Sequence, residues 1–330
     1  MGFLYHNFIS DFFCFSLNGL AGAIGEYAIA IILLTIFIRM ALMPIDINLR
    51  KNQKKMAELG PQLQNIQKRY ANDPAQLQKK QRELYKKMGT RPMMGCLPMI
   101  LQLFILFAFF GAMRDLQSEQ TVSEILSAVN YGTANVHISS FFWVHNLWQP
   151  DTVFSLVMPS ANDFATFLQT NADYLSPQIL YMLKDAGLVD FSGNVISIVQ
   201  PTYSSVMNSI SVQQGFVSEN GILLANGACI LPILSGVSLF LSQKFASTGQ
   251  GGVPTGNADA DQTMAGTNTI MMIIFPIFSA YICFTSNAAF ALYWTVSSLY
   301  AFLQGRIIMK FLYRDKNKKK ISPNVSVSNS

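Results

Sequence analysis

Between Tyr27 and Pro44 the chain is apolar at every position except Thr35 and Arg39. A stretch of that length, at 1.5 Å per residue, crosses most of a bilayer as a helix. Hydrocarbon offers a backbone no partner but itself, so the segment is committed to helix and the rest of the chain must arrange itself around a membrane. Four further apolar stretches follow: Cys96 to Met113, Ile222 to Leu241, Ile270 to Thr285 and Ala288 to Ile308. With 51% hydrophobic and only 12% charged residues, and a positive mean hydropathy, the composition is that of a polytopic membrane protein.

Charge orders the five spans. Arg50, Lys51, Lys54, Lys55, Lys68, Arg69, Lys79, Lys80, Arg82, Lys86, Lys87 and Arg91 crowd between spans one and two, which places that loop in the cytoplasm. The stretch from Arg114 to Gly221 is acidic and belongs outside, and the tail from Arg306 is basic again. The expected fold is an all-α membrane protein with five transmembrane helices, N-terminus outside and C-terminus cytoplasmic. It carries a cytoplasmic helical hairpin between spans 1 and 2 and an extracytoplasmic helical insert between spans 2 and 3.

The expected organisation follows. Residues 1–25 form an interfacial helix with Leu4, Phe8, Phe12 and Phe15 on one face, since no positive region marks a signal peptide there. Residues 26–115 hold spans one and two, with the hairpin at 48–92. Met56, Leu59, Leu63, Ile66 and Tyr70 recur at spacings of three and four, Asn72-Asp73-Pro74 turns the chain, and Leu77, Leu84 and Met88 form the answering stripe before Gly89. Gly60-Pro61 is expected to kink the first arm. Residues 116–221 form a helical cap anchored by Trp143 and Trp148. Residues 222–312 hold spans three to five with a flexible Gly-rich cytoplasmic loop at 246–266, and 313–330 is a basic tail. At 16 residues, Ile270 to Thr285 either thins the bilayer locally or is lengthened by Thr267 to Thr269 and Ser286.

Arg39 sets the functional question. A guanidinium in hydrocarbon costs at least roughly 2.5 to 3.5 kcal/mol, so it lines water, meets a partner, or snorkels to headgroups near Pro44. Thr35, Gln102, Asn226, Ser235, Ser238, Trp294, Ser297, Ser298 and Gln304 add neutral polarity to the spans; each alone serves helix packing, and together they line a wet groove. Only three histidines exist, the four cysteines lack paired spacing, and no nucleotide or hydrolase motif occurs. No cofactor, metal or catalytic residue is expected. Glu26 and Asp46 flank the first span instead of forming an intramembrane carboxylate pair, which argues against an ion-coupled transporter.

The ordered motifs resemble the YidC family of membrane protein insertases. They are Arg39 with Pro44, Leu84-Tyr85-Lys86-Lys87, Gly95-Cys96-Leu97-Pro98 with Gln102, Phe142-Trp143 with Leu147 and Pro150-Asp151, Leu231-Pro232-Ile233-Leu234, and Ala291-Leu292-Tyr293-Trp294 with Gln304. The resemblance covers residues 26 to 151 and 222 to 312; residues 152 to 221 look inserted relative to compact members, and the large soluble domain of some relatives and a lipoprotein cysteine are not evident. It implies a bacterial cell-membrane insertase and chaperone that works without nucleotide hydrolysis. Its groove is hydrated around Arg39, with Thr35, Gln102, Ser298 and Trp294. Substrates leave along Leu103, Ile105, Phe107, Leu292 and Leu299. Nascent membrane proteins, the translating ribosome, anionic lipids and the Sec translocon are the implied partners, with Lys54, Lys55, Lys79, Lys80, Lys318, Lys319 and Lys320 as ribosome or lipid contacts and a monomer as the expected state. The basic hairpin is equally read as a solvated face. The rival is a small-solute or anion transporter or channel, which calls for polar residues through the full membrane depth; Ala28 to Leu34 and Phe104 to Phe110 are apolar.

Overall fold

In the computed structural model, residues 7–89, 97–133, 136–171, 175, 177–192, 195–218, 220–247 and 270–320 are described. Cys96, most of the loop at 246–266 and the end of the tail lie outside them. The element order is α1 (Phe8–Ile24), α2 (Tyr27–Arg69), α3 (Pro74–Met88), α4 (Leu97–Tyr131), α5 (Ala161–Asn171), α6 (Pro177–Asp185), β1 (Val189–Ser192), β2 (Val195–Ile198), α7 (Gln200–Gln213) and α8 (Ile230–Ser247). A π-helical turn at Ile270–Ile274 then leads into α9 (Phe275–Thr285), and α10 (Ala288–Lys320) follows. Among the described residues, Tyr27–Met56 is long and apolar enough to cross a membrane, and Phe8–Ile24, Ile230–Lys244 and Met272–Thr285 are shorter apolar helices. The chain divides into two units, the first comprising Met1–Thr35, Leu103–Ser235 and Ser279–Val296, the second Ile36–Gln102, Gly236–Phe278 and Ser297–Ser330.

In the first unit, α1 begins with a reciprocal cap: the Asn7 side chain accepts from the Ile9 and Ser10 N–H groups at 2.9 and 3.2 Å, and the Asn7 N–H donates back to Ser10 Oγ. Gly25 ends it at φ 90°, a conformation glycine adopts without strain. Phe13, Leu17 and Ala21, one turn apart, are buried, while Phe8, Phe12 and Phe15 are exposed on the other side. Phe13 meets Phe109 of α4, and Phe109 stacks on Tyr293 of α10 at 3.7 Å between ring centres. The acidic insert has its own core. Val122 and Ile125 of α4, Phe164 and Leu168 of α5, Leu183 of α6, and Tyr203, Met207 and Ile210 of α7 close around Leu188, Val189 and Ile196.

That insert is not purely helical. Val189 pairs with Ile198 and Ser192 with Val195 in an antiparallel hairpin, because Val189 and Phe191 alternate with Asp190 and Ser192, and Ile196 and Ile198 flank Ser197, across a two-residue connection. The third apolar helix also starts later than Ile222. Val217 bridges Leu223 and Ala225 bridges Leu156, and Cys229 takes φ 60°, so regular helix begins at Ile230.

In the second unit, α2 continues through Pro44 and Pro61 to Arg69 without leaving helix. Leu59 and Leu63 bury against Leu84 of α3, with Met56, Ile66 and Tyr85 around them. Asp73 caps α3 by accepting from Ala75 N–H at 3.1 Å and Gln76 N–H at 3.0 Å, Pro74 fills the first turn, and Gly89 stops the helix at φ 60°. Met88 lies outside the seam, exposed. The basic tail begins as helix, since α10 reaches Lys320.

Candidate functional site

Two polar constellations stand out, one in each unit. The first is a clasp built from Asn146 to Asp151. Asp151 is fully buried; its Oδ2 accepts from Leu231 N–H at 2.7 Å and from Trp143 Nε1 at 3.2 Å, and its Oδ1 accepts from Ala228 N–H at 2.9 Å. A carboxylate 80 residues away in sequence thus caps the start of α8, where N–H groups lack helical partners and the helix dipole favours negative charge. Gly227 makes room for it, since a Cβ there would meet Asp151 Oδ1 and lie 2.9 Å from its Cα. Asn226, also fully buried, donates from Nδ2 to the carbonyls of Asn146, Gln149 and Pro150 and accepts from Asn146 N–H at 2.7 Å. The same loop holds α10: Ala288 and Ala289 N–H donate to the Gln149 and Leu147 carbonyls, both at 2.9 Å, and Asn287 Oδ1 accepts from Phe290 N–H.

Several expected positions belong to this unit and are packed. Thr35 is buried with its hydroxyl turned back to the Ile31 carbonyl at 2.6 Å. Trp294 donates its indole N–H to Ser279 Oγ and stacks against Phe290. Trp148 is wholly enclosed and meets Tyr27 edge-on, so it is a core residue and not an interfacial anchor; Trp143 is half-buried. Leu292 is likewise withdrawn from any sliding surface at 2% exposure, because α10 is enclosed on all sides from Ala288 to Trp294. Leu103 is exposed, and Ile105 and Phe107 are partly covered.

The second constellation is a seam between α2 and α10 within the second unit. Arg39 donates from Nε to Ser297 Oγ at 2.9 Å, and its Nη2 donates to the same oxygen. The serine partner is therefore Ser297; Ser298 is buried one helical step, about 100°, further round. Seven residues beyond Arg39, the Asp46 carboxylate is flanked by Arg39, Arg50 and the amide of Gln304. Gln304 is buried and its Nε2 has no hydrogen-bond partner among the described residues, so the amide approaches Asp46 without closing a bond of normal geometry. Arg50 lies flat on Gly305: a Cβ at that glycine would sit 2.5 Å from Arg50 Nη2 and 2.8 Å from its Cζ. Residues 39, 46 and 50 share one face of α2 at spacings of seven and four, and they meet residues 297, 304 and 305 of α10. Gln102 is half-buried in the same unit, and no described hydrogen bond joins it to Arg39. Along the same stretch α10 exposes Leu299, Leu303 and Ile307, whereas Leu292 is enclosed.

Of the basic positions, Lys55 and Lys79 are exposed, and Lys80 is held to Glu83 at 2.9 Å, which raises its pKa. Lys54 is half-buried. Lys318, Lys319 and Lys320 contribute backbone to α10, and their side chains lie outside the described residues. No group of three or more metal-ligating side chains occurs among the described residues.

Residues 19–222 and 186–317 match the family described as 60Kd inner membrane protein. The chain is 37% identical over 169 residues to the membrane protein insertase YidC of Fusobacterium nucleatum, covering 51% of this chain and 72% of that one. It is 36% identical over 135 residues to the namesake of Clostridium perfringens, covering 41% and 50%. To the membrane protein insertase YidC 1 of Listeria monocytogenes it is 30% identical over 208 residues, covering 59% and 65%.

Proposed function

Because this chain belongs to the YidC family of membrane protein insertases, we propose that it inserts and folds newly made membrane proteins in the bacterial inner membrane without nucleotide hydrolysis. The observation that carries the mechanism is the seam: Arg39 inside an apolar run, held by a single serine and followed along one helix face by Asp46 and Arg50. In this reading the seam is a hydrated groove open to the cytoplasm. The chain has its N-terminus outside and its C-terminus inside, and five spans surround the groove. The acidic insert lies outside.

The barrier to moving a polar tail through hydrocarbon is mostly desolvation. A groove that carries water and a fixed cation into the bilayer shortens the dry path, and a guanidinium binds a transient carboxylate through charge-assisted hydrogen bonds. Ser297 fixes the direction of that guanidinium. The substrate's apolar segment then departs along exposed Leu299, Leu303 and Ile307, and its burial in lipid supplies the net free energy. The basic hairpin and the basic end of α10 face the cytoplasm, where translating ribosomes, the Sec translocon and anionic lipids are available partners.

Arg39→Ala tests this. The variant is expected to accumulate stably in the membrane yet insert single-span substrates with acidic outer tails poorly, with Arg39→Lys largely restoring them, since charge is the requirement. Normal insertion by a well-expressed Arg39→Ala protein refutes the groove mechanism.

A further inference from the structure

The chain around the clasp exposes apolar side chains at two loop tips. Phe141 and Val144 close a tight turn by exchanging both backbone hydrogen bonds, at 2.9 and 2.8 Å, and Phe142 sits at its corner with φ 46° and 87% of its surface open. A bulky residue is strained in that left-handed region, so the turn holds a phenyl ring outward at a cost in backbone energy. The second tip is Val153-Phe154, both exposed, Phe154 at 81%. There Thr152 Oγ1 accepts from the Phe154 and Ser155 N–H groups at 3.2 and 3.0 Å and donates to Ser155 Oγ at 3.0 Å. The Thr152 and Ser155 carbonyls accept from the Gly227 and Asn226 N–H groups at 3.3 and 2.7 Å. These polar groups are met within the protein, and what the tip turns outward is hydrocarbon. A loop in water has no need of that arrangement, because solvent would serve the same groups; a loop beside lipid does.

We propose that Phe142, Val153 and Phe154 enter the outer leaflet of the bilayer and seat the clasp on phospholipid. This rests on the reading above only in placing these loops outside. Phe154 meets Phe284 at 6.2 Å between ring centres, and Phe284 and exposed Tyr281 lie near the end of the apolar helix α9, so the tip continues the surface of a helix already suited to lipid. Residues 152–162 and 279–296 carry no charged side chain, and Asp151 is fully buried, turned inward onto the Trp143 indole. A patch of that chemistry fits the boundary between headgroups and acyl chains, where interfacial side chains reach about 5 to 10 Å. With no Lys or Arg in it, attachment comes from burial of apolar surface and does not call for anionic lipid. The loop that caps α8 and accepts from the first N–H groups of α10 is thereby held at one depth in the membrane.

Depth-dependent quenching tests this in the full-length protein, with its four native cysteines replaced by alanine. Phe142→Cys, Val153→Cys and Phe154→Cys each receive an environment-sensitive fluorophore; so does Tyr181→Cys in α6, an exposed aromatic position close to Lys184 and Asp185 that serves as the water-facing control. The proteins are reconstituted into phosphatidylcholine vesicles with or without phosphatidylglycerol. They are quenched by iodide from the water and by phosphatidylcholine bearing a nitroxide at the top of its acyl chain. Iodide quenching at 142, 153 and 154 is expected to be about threefold or more weaker than at 181, nitroxide quenching stronger, and both the same without phosphatidylglycerol. Iodide access equal to that at 181 overturns the proposal. Nitroxide quenching that appears only with phosphatidylglycerol overturns it too, since the attachment would then be electrostatic. Shielding from iodide without nitroxide quenching also overturns it, because the cover would then be protein, a second copy of this chain or a neighbouring loop. No substrate is present, so the outcome stands apart from that of Arg39→Ala.

Discussion

Asp151→Ala against Asp151→Asn measures how much of this molecule hangs on one buried carboxylate. Asp151 accepts three hydrogen bonds, from Leu231, Ala228 and the Trp143 indole. Alanine removes every acceptor. The half-buried indole can turn to solvent, but the Leu231 and Ala228 N–H groups at the start of α8 lose their partner, at roughly 1 to 3 kcal/mol each. The expected loss is thus roughly 2 to 6 kcal/mol, before any contribution from the helix dipole. Asparagine is subtler, because all three partners are donors. Its oxygen can keep the Oδ2 place and serve Leu231 and Trp143, but its amide N–H₂ then confronts the Ala228 N–H. One bond and the charge are lost, for roughly 1.5 to 3 kcal/mol. Thermal unfolding of the purified protein in detergent, followed by loss of the monodisperse species, should rank wild type above Asn and Asn above Ala. If Asn and Ala are equally destabilised, or Ala lies within about 1 kcal/mol of wild type, the clasp is not the element that fixes α8.

Glu124 of α4 is almost fully buried and has one oxygen without a partner among the described residues, and burial pushes its pKa from 4.5 up to about 8. A carboxyl whose folded pKa is raised contributes stability that is complete below the unfolded value and is lost as pH rises through the folded one. Unfolding of the insert, read by limited proteolysis, should therefore become easier by a few kcal/mol between about pH 4.5 and about pH 8, and Glu124→Gln should flatten that profile. Phe164, wholly buried and stacked on Tyr203 at 5.1 Å, anchors the insert core; Phe164→Ala should cost roughly 3 to 5 kcal/mol and open residues 161–213 to protease while insertion persists. Loss of insertion with intact spans would make the insert part of the substrate path.

Local periodicity was legible and long-range pairing was not. The hairpin stripes Met56, Leu59, Leu63 and Ile66 meet Leu84 as their spacing requires, and Asn72-Asp73-Pro74 turns and caps as those residues do. The strand pair at 189–198 carried its own signal, β-branched and aromatic residues on either side of Gly193-Asn194, but the helical character of its neighbours masked it. Asp151 and Asn226 carried no signal of their distant partners, because a cap supplied from 80 residues away has no sequence period. The surroundings of Ser298 and Leu292 were not legible for a related reason. One residue is 100° of helix, so Ser297 and not its neighbour faces Arg39, and equal spacing along α10 cannot reveal that one half is enclosed and the other open. Asp46, two residues past Pro44, reads in sequence as a flanking charge; only the run of helix through the proline puts it in line with Arg39 and Arg50.

The two polar constellations use similar residue types, and what separates them is how far their amide and charged side chains are satisfied. In the clasp the Asn226 amide and the Asp151 carboxylate each meet three protein partners, and such networks rigidify and fix a single arrangement. In the seam, two donors of Arg39 share one serine oxygen, and the buried Gln304 Nε2 meets none among the described residues. Buried polar groups left short of partners are costly, so they persist where something else compensates them. The clasp is accordingly the kind of polar site whose loss shows first in stability. The seam is the kind whose loss shows first in handling a substrate, and Asp151→Ala and Arg39→Ala should fail in those two different ways.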